Sequence, residues 1–461
     1  MTQRYLRSAP GAPAPLREDF ARIRAEFTLP EQFGEAAVAE AAQAAAWPVD
    51  HTGRDDLRAL AFVTIDPPSS MDLDQAMLLE RNGDGDLVRY AIADVAAVVP
   101  AGGAVDQEAW ARGQTVYCPD ERVPLYPTAI SEGAASLLPG EERAALVYRI
   151  ELDAEGRQRS ARVDRAVVTS HRRLAYGEDE IPLLEDIGTR RITLARQRGA
   201  VSLNAPAQTV VADSSEPEGY RLELEHRTPD EDWNAEISLL AGMAAAGIMR
   251  ERGFGMLRTM GGPDSYRERR LRKAAAGLGV PWPEGLSFAE WVSALDPAHP
   301  RQAALIEEAH DVMGHAGYEY FEGTPPATAQ HAGIAAFYAH TTAPLRRLGD
   351  RYVLDLVAGG GDREALARLP HVMSEAGARA AQVERTIVDD VEVRLLERHV
   401  GERFTAVALE NDHRGTIIQL ADPLVRARLH TDPPPTPGAT VEVQLTRADP
   451  HSRSLEFHLA T

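Results

Sequence analysis

Apolar positions recur at helical spacing over Leu16 to Phe27, and Thr28-Leu29-Pro30 breaks the run. A second, alanine-rich helix is predicted from Glu35 to Ala46 and stops before Pro48. Two short helices joined tightly read either as a helix-turn-helix or as a helical cap on a larger body. The period then changes. Leu60 to Ile65 and Leu87 to Val95 are β-rich runs, with Gly83-Asp84-Gly85 between them as a turn signal. Leu146 to Asp153 and Arg162 to His171 predict further strands. Helical spacing follows in Asn234 to Arg252, Tyr266 to Leu278, Gln302 to Met313 and Arg351 to Ala358, and one long charged helix is predicted over Val372 to Val400. Strands first and helices after indicate an α+β body.

The last segment alternates again. Arg403 to Leu409, Arg414 to Leu420, Leu424 to His430, Thr440 to Thr446 and Ser454 to His458 are short strand-like runs, separated by Asn411-Asp412, Asp422-Pro423 and the Pro433 to Pro437 stretch. Five strands in about 60 residues fit a β-barrel OB-fold, a common platform for single-stranded nucleic acid; a small barrel with no such role shares the pattern. The expected division is a helical, possible helix-turn-helix domain over 1–54, a mixed sheet-plus-helix body over 55–398 and the barrel over 399–461.

A length of 461 residues accommodates two or three such domains. No uninterrupted apolar run reaches about 18 residues, so no membrane span is expected. Met1 to Pro15 lacks a basic start followed by an apolar stretch, which argues against a secretory signal. Cys118 is the single cysteine, so an intrachain disulfide and a thiolate zinc cage are both excluded. A cytoplasmic location is the expectation. The formal net charge of −21 argues against a general nucleic-acid coat protein, although a locally basic channel can lie inside an acidic shell. Lys273 is the only lysine, so phosphate contacts would fall to arginine, whose planar fork suits them.

The densest chemistry lies in Thr64-Ile65-Asp66-Pro67-Pro68-Ser69-Ser70-Met71-Asp72-Leu73-Asp74-Gln75-Ala76. An apolar strand delivers Asp66 to a Pro/Ser loop that presents Asp72 and Asp74, with the amide oxygen of Gln75 next in line. Three carboxylates this close repel one another unless a cation sits among them. Oxygen-only donors suit Mg2+ or Mn2+. Taken alone, such a loop is more often simply solvated, or caps a helix. The order of residues does not match a calcium-binding EF-hand loop.

This stretch resembles the signature of the ribonuclease II/R (RNB) family of exoribonucleases. Asp66, Asp72 and Asp74 match three metal-site aspartates, and Gln75 stands at the fourth. Glutamine can ligate through its oxygen but brings no charge. A second block, Tyr338-Ala339-His340-Thr341-Thr342-Ala343-Pro344-Leu345-Arg346-Arg347-Leu348-Gly349-Asp350, is similar to the family's Tyr-x-His-x-Thr-Ser-Pro-Ile-Arg motif. A third, Ala91-Ile92-Ala93-Asp94-Val95 followed by Val116-Tyr117-Cys118-Pro119 and Val123-Pro124-Leu125-Tyr126-Pro127, resembles the family's strand and its Val-Tyr-x-Pro segment.

The resemblance spans about residues 55 to 460 and implies the RNB fold. It implies hydrolysis of RNA, one nucleotide at a time from a single-stranded 3′ end, to 5′-monophosphates with Mg2+ or Mn2+. Asp66, Asp72 and Asp74 would be catalytic and, with Gln75, metal-binding. Arg346 would stabilise charge on the scissile phosphate, Tyr117 would stack on the 3′-terminal base, and Tyr338, His340 and Arg347 would contact RNA. Two departures stand beside Gln75. The family's paired helical acids are replaced by Leu240 and Ala241, with Glu236 one turn earlier, and a short helical segment occupies the place of the usual cold-shock barrels. A catalytically weakened RNA-binding or regulatory protein on the same fold is the alternative.

Overall fold

In the computed structural model the described residues are 6–8, 14–67, 70–177, 180–203, 207–212, 220–225, 227–297, 299–412, 414–423 and 425–460. The strand Gly85–Ala93 is buried along nearly its whole length, as its near-continuous apolar run requires of a strand covered on both faces. Gln75–Asn82 pairs with it across the turn at Gly83, and Glu142–Leu152 pairs with its other edge. The long strand Gln158–Leu174 joins Glu142–Leu152 on one side and Phe62–Ile65 on the other, which closes the sheet on itself. The strand Gln75–Asn82 was not among the expected ones. Its Gln-Ala-Met-Leu-Leu-Glu order has no clean alternation, and pairing with a buried neighbour decides its conformation.

The helix Pro229–Arg252 packs against this sheet through Ile237, Leu240, Ala241, Ala244, Ala245 and Met249. Small residues let it approach closely: a Cβ on Gly242 would come within 2.1 Å of the Tyr338 ring. A capping box of Thr228 and Glu231 starts it, and Gly253 in the left-handed region ends it. The long helix runs over Arg363–Leu396, starting earlier than its expected beginning at Val372. It passes through Pro370, an ordinary stop signal, because Leu366, Leu369, Met373 and Ala376 are buried on both sides of that proline.

Five strands, Arg403–Asp412, Gly415–Leu420, Arg426–Leu429, Thr440–Asp449 and Ser454–Leu459, close a C-terminal barrel around Ala406, Ile418, Leu420, Leu429, Val443 and Phe457. An outlying sheet of Leu6–Ser8, Ala207–Ala212 and Tyr220–Glu225 was not foreseen.

The N-terminal helices are a cap on the body. Ala14–Glu26 buries Leu16, Phe20 and Ile23 against Val383, Ile387 and Val391 of the long helix. Glu35–Ala46 buries Ala37 and Ala41 in the main core. Ion pairs fix the first of them: Asp19 meets Arg394, and Arg453 of the barrel reaches both Glu26 and the buried Asp390.

Candidate active site

The strand Phe62–Ile65 ends at the acidic loop. Its register is held where the Asp66 N–H donates to Leu174 O at 3.1 Å. Ser136 ties down the far end, accepting from the Leu73 N–H and donating to Met71 O. Asp74 is buried, with Oδ1 accepting from the Leu345 N–H at 2.7 Å across 271 residues of sequence. Its Oδ2 lies 3.3 Å from Arg346 Nε. Arg346 is deep among protein atoms yet its side chain is 44% accessible, as expected at the floor of an open cleft.

Burial raises the carboxyl of Asp66 to about 7; Arg346 opposes the shift and Asp72 adds to it. Burial likewise raises Asp74 to about 7, against the pull of Arg346 and the Leu345 N–H and with a push from Asp72. Asp66 and Asp74 therefore both sense Asp72 and the Arg346 guanidinium.

Asp72 is held differently. Arg122 Nη1 lies 2.8 Å from its Oδ1, and the Tyr117 hydroxyl is 3.5 Å from its Oδ2. Tyr117 and Arg122 are directly opposed residues on the two strands of a small hairpin, Val116–Tyr117 and Arg122–Val123, so both project on one face. Tyr117 leaves 49% of its surface to solvent, an available stacking face. Arg122 was missed in the sequence, although the Cys-Pro-Asp-Glu link before it is a turn signal that would have put it opposite Tyr117.

The remaining expected residues divide. Arg347 forms a two-pronged ion pair with the buried Asp350, at 2.9 and 2.7 Å, and Asp350 also accepts from the Ala343 N–H. Arg347 thus braces the loop that aims Arg346. Tyr338 is not placed to contact RNA: it is 7% exposed, with its ring over Gly242 and edge-on to His331 and His340. His340 pairs its Nδ1 with the Tyr318 hydroxyl at 2.8 Å; burial, with Arg347 and Arg258 nearby, holds it neutral, well below the usual histidine range.

Gln75 donates to Thr342 O at 2.7 Å and accepts from the Tyr90 hydroxyl, so both ends of its amide are engaged within the protein. Ser238 of the helix Pro229–Arg252 donates to Thr342 Oγ1 at 3.0 Å and completes this buried network. Glu236 is buried beside Arg191 and Arg198 and couples to them, not to the three aspartates. Leu240 and Ala241 lie in the core.

Among the described residues no three His, Cys, Asp or Glu side chains form a ready metal cage, consistent with Asp72 being turned to Arg122 and Tyr117. The donor set nonetheless fits a hard divalent cation. The candidate ligands are carboxylate oxygens, and the buried Asp74 and half-buried Asp66 are each pushed towards the neutral form by desolvation and by Asp72, a strain that a positive ion relieves. Among the described residues no helix is long and apolar enough to cross a membrane.

Fold and site together define an α+β body with an acid-and-arginine cleft, joined to a five-stranded barrel. The chain belongs to the RNB family: the RNB domain matches residues 54–358, and the RNase II-type exonuclease C-terminal S1 domain matches residues 402–460. It is similar to Ribonuclease R of Chlamydia muridarum, at 28% identity over 413 residues, covering 84% of this chain and 58% of that protein. Against Ribonuclease R of Escherichia coli the identity is 27%, covering 82% and 51%. The fold is similar to Mycoplasma genitalium RNase R in complex with ribose methylated single-stranded RNA, with a TM-score of 0.86, 18% identity and coverage of 97% and 78%. The chain spans about half to seven-tenths of the length of three curated relatives named Ribonuclease R.

Proposed function

We propose that this chain is a hydrolytic exoribonuclease that shortens single-stranded RNA from its 3′ end and releases 5′-nucleoside monophosphates. The observation that carries the reading is the junction of Asp74 with Leu345 and Arg346, at 2.7 and 3.3 Å, inside a matched RNB domain. Asp66, Asp72 and Asp74 would hold Mg2+ or Mn2+, which when bound polarises the phosphodiester and lowers the pKa of water. Water adds to the phosphorus as the bond to the preceding 3′ oxygen breaks. Arg346 offers its guanidinium to the charge that develops there. Tyr117 supplies a sequence-tolerant stacking face for the terminal base, and the barrel supplies a platform for the incoming strand.

In the presence of Mg2+, 5′-labelled single-stranded RNA is expected to shorten stepwise, and Asp74→Asn to stop it. The alternative, an RNA binder with weakened chemistry, is motivated by the internally engaged amide of Gln75. If wild type and Asp74→Asn bind RNA equally and neither shortens it, the binder reading replaces the nuclease.

A further inference from the structure

The hairpin Val116–Val123 has two faces with different duties. Tyr117 and Arg122 form its outward pair, and both reach Asp72. Val116 and Val123 form its inward pair, and they are buried with Leu16, Phe20, Ile23 and Leu29 of the N-terminal segment. Strands of two residues cannot hold a conformation alone, so the hairpin takes its position from what it rests on.

Its turn is clamped as well. Arg24, on the helix Ala14–Glu26, donates from Nη1 to both oxygens of Asp120 at 2.8 and 3.0 Å. It also meets Glu121 at 2.9 Å and Glu31 at 2.9 Å. The Arg24 and Asp120 side chains are only 5% and 7% exposed, so the pair is shielded from water. Within the turn, Cys118 N–H donates to Glu121 O at 2.9 Å. An unbroken series of contacts therefore leads from Arg24 through Asp120 and Glu121 to Arg122 and Asp72.

We propose that the N-terminal helix is a working part of the cleft: Arg24 is a positioning residue that fixes the Val116–Val123 hairpin, and thereby sets Tyr117 and Arg122 against Asp72 for the 3′-terminal nucleotide. This rests on the exoribonuclease reading above and adds to it a reason for the helical cap. A buried pair with one partner removed leaves an uncompensated charge, so the clamp opens as a unit.

The test uses the full chain. Arg24→Met keeps the packed stem and removes the charge. It is expected to speed hydrogen exchange at the amides of residues 115–123 about tenfold, with Gly85–Ala93 unaffected. On short 5′-labelled RNA it is expected to raise KM about tenfold with a smaller change in kcat, and to lengthen the final product. Arg24→Lys restores part of the effect. Arg24→Met adds little to Tyr117→Ala, because a ring that is absent no longer needs placing. Wild-type exchange in the hairpin, an unchanged KM, or full additivity with Tyr117→Ala overturns the proposal. Should Arg24→Met fail to fold, Asp120→Asn removes the partner's charge at equal volume and is measured the same way. Wild-type protein that leaves RNA intact defeats the exoribonuclease reading, and hairpin exchange then still decides whether Arg24 holds the loop.

Discussion

Two adjacent arginines show how little a residue's type says about its duty. Arg346 faces Asp74 from an open cleft, whereas Arg347 is spent on Asp350. Replacing Arg346 by lysine keeps the charge but loses the planar fork, and a rate loss of about 10² to 10³ is expected at little cost in RNA affinity. Single-turnover decay of labelled RNA measures it, and an unchanged rate would remove Arg346 from the chemistry. His331 gives a pH signature away from the acids. Burial, with Arg258 close by, lowers it to about 4, while an unfolded histidine titrates near 6.5. Between those values the unfolded chain binds a proton that the folded chain refuses. The contribution of His331 to stability is therefore complete above about pH 6.5 and is lost as pH falls towards 4. His340 acts in the same direction. Asp66 and Asp74, raised to about 7, work in the opposite direction as pH falls, so the test is a comparison: between pH 7 and pH 5 the wild-type urea midpoint should lose ground relative to that of His331→Phe, and parallel curves for the two proteins would refute it.

At the scale of elements, the structure is joined by a few buried charges. Asp390 of the long helix is fully buried and meets Arg453 of the barrel at 3.4 Å, with Arg394 and Arg22 also within reach. Each of those guanidiniums keeps a second partner, Asp19 or Glu26, so Asp390→Ala is expected to cost about 1–3 kcal/mol, the loss of its own buried contacts. Chemical denaturation checks this, and a loss below about 1 kcal/mol would show that the three elements are held by apolar packing alone. The expected elements were legible where periodicity was strong, as in Glu35–Ala46 and the barrel strands. Gln75–Asn82 and the first turns of Arg363–Leu396 were not, because pairing with a buried strand and burial around Pro370 outweigh local preference.

For the whole molecule, a formal charge of −21 confines any RNA contact to local positive features such as Arg346 and Arg122. RNA binding to Asp74→Asn should weaken as salt rises from about 50 to 200 mM, because displaced counterions pay less at high salt. Affinity that is flat or rises over that range would mean that stacking dominates or that the acidic surface outweighs the cleft. The sequence by itself determined the family, the succession of strand-rich body, helices and terminal barrel, and the candidate acids at 66, 72 and 74, because these lie in short local patterns whose spacing survives without coordinates. Only the tertiary structure decided which side chains are committed elsewhere: Gln75 to Tyr90 and Thr342, Tyr338 to the core, Arg24 to the hairpin beneath Tyr117. Those commitments join positions tens to hundreds of residues apart, and a side chain's free valence depends on the neighbours that folding brings to it, which no local pattern encodes.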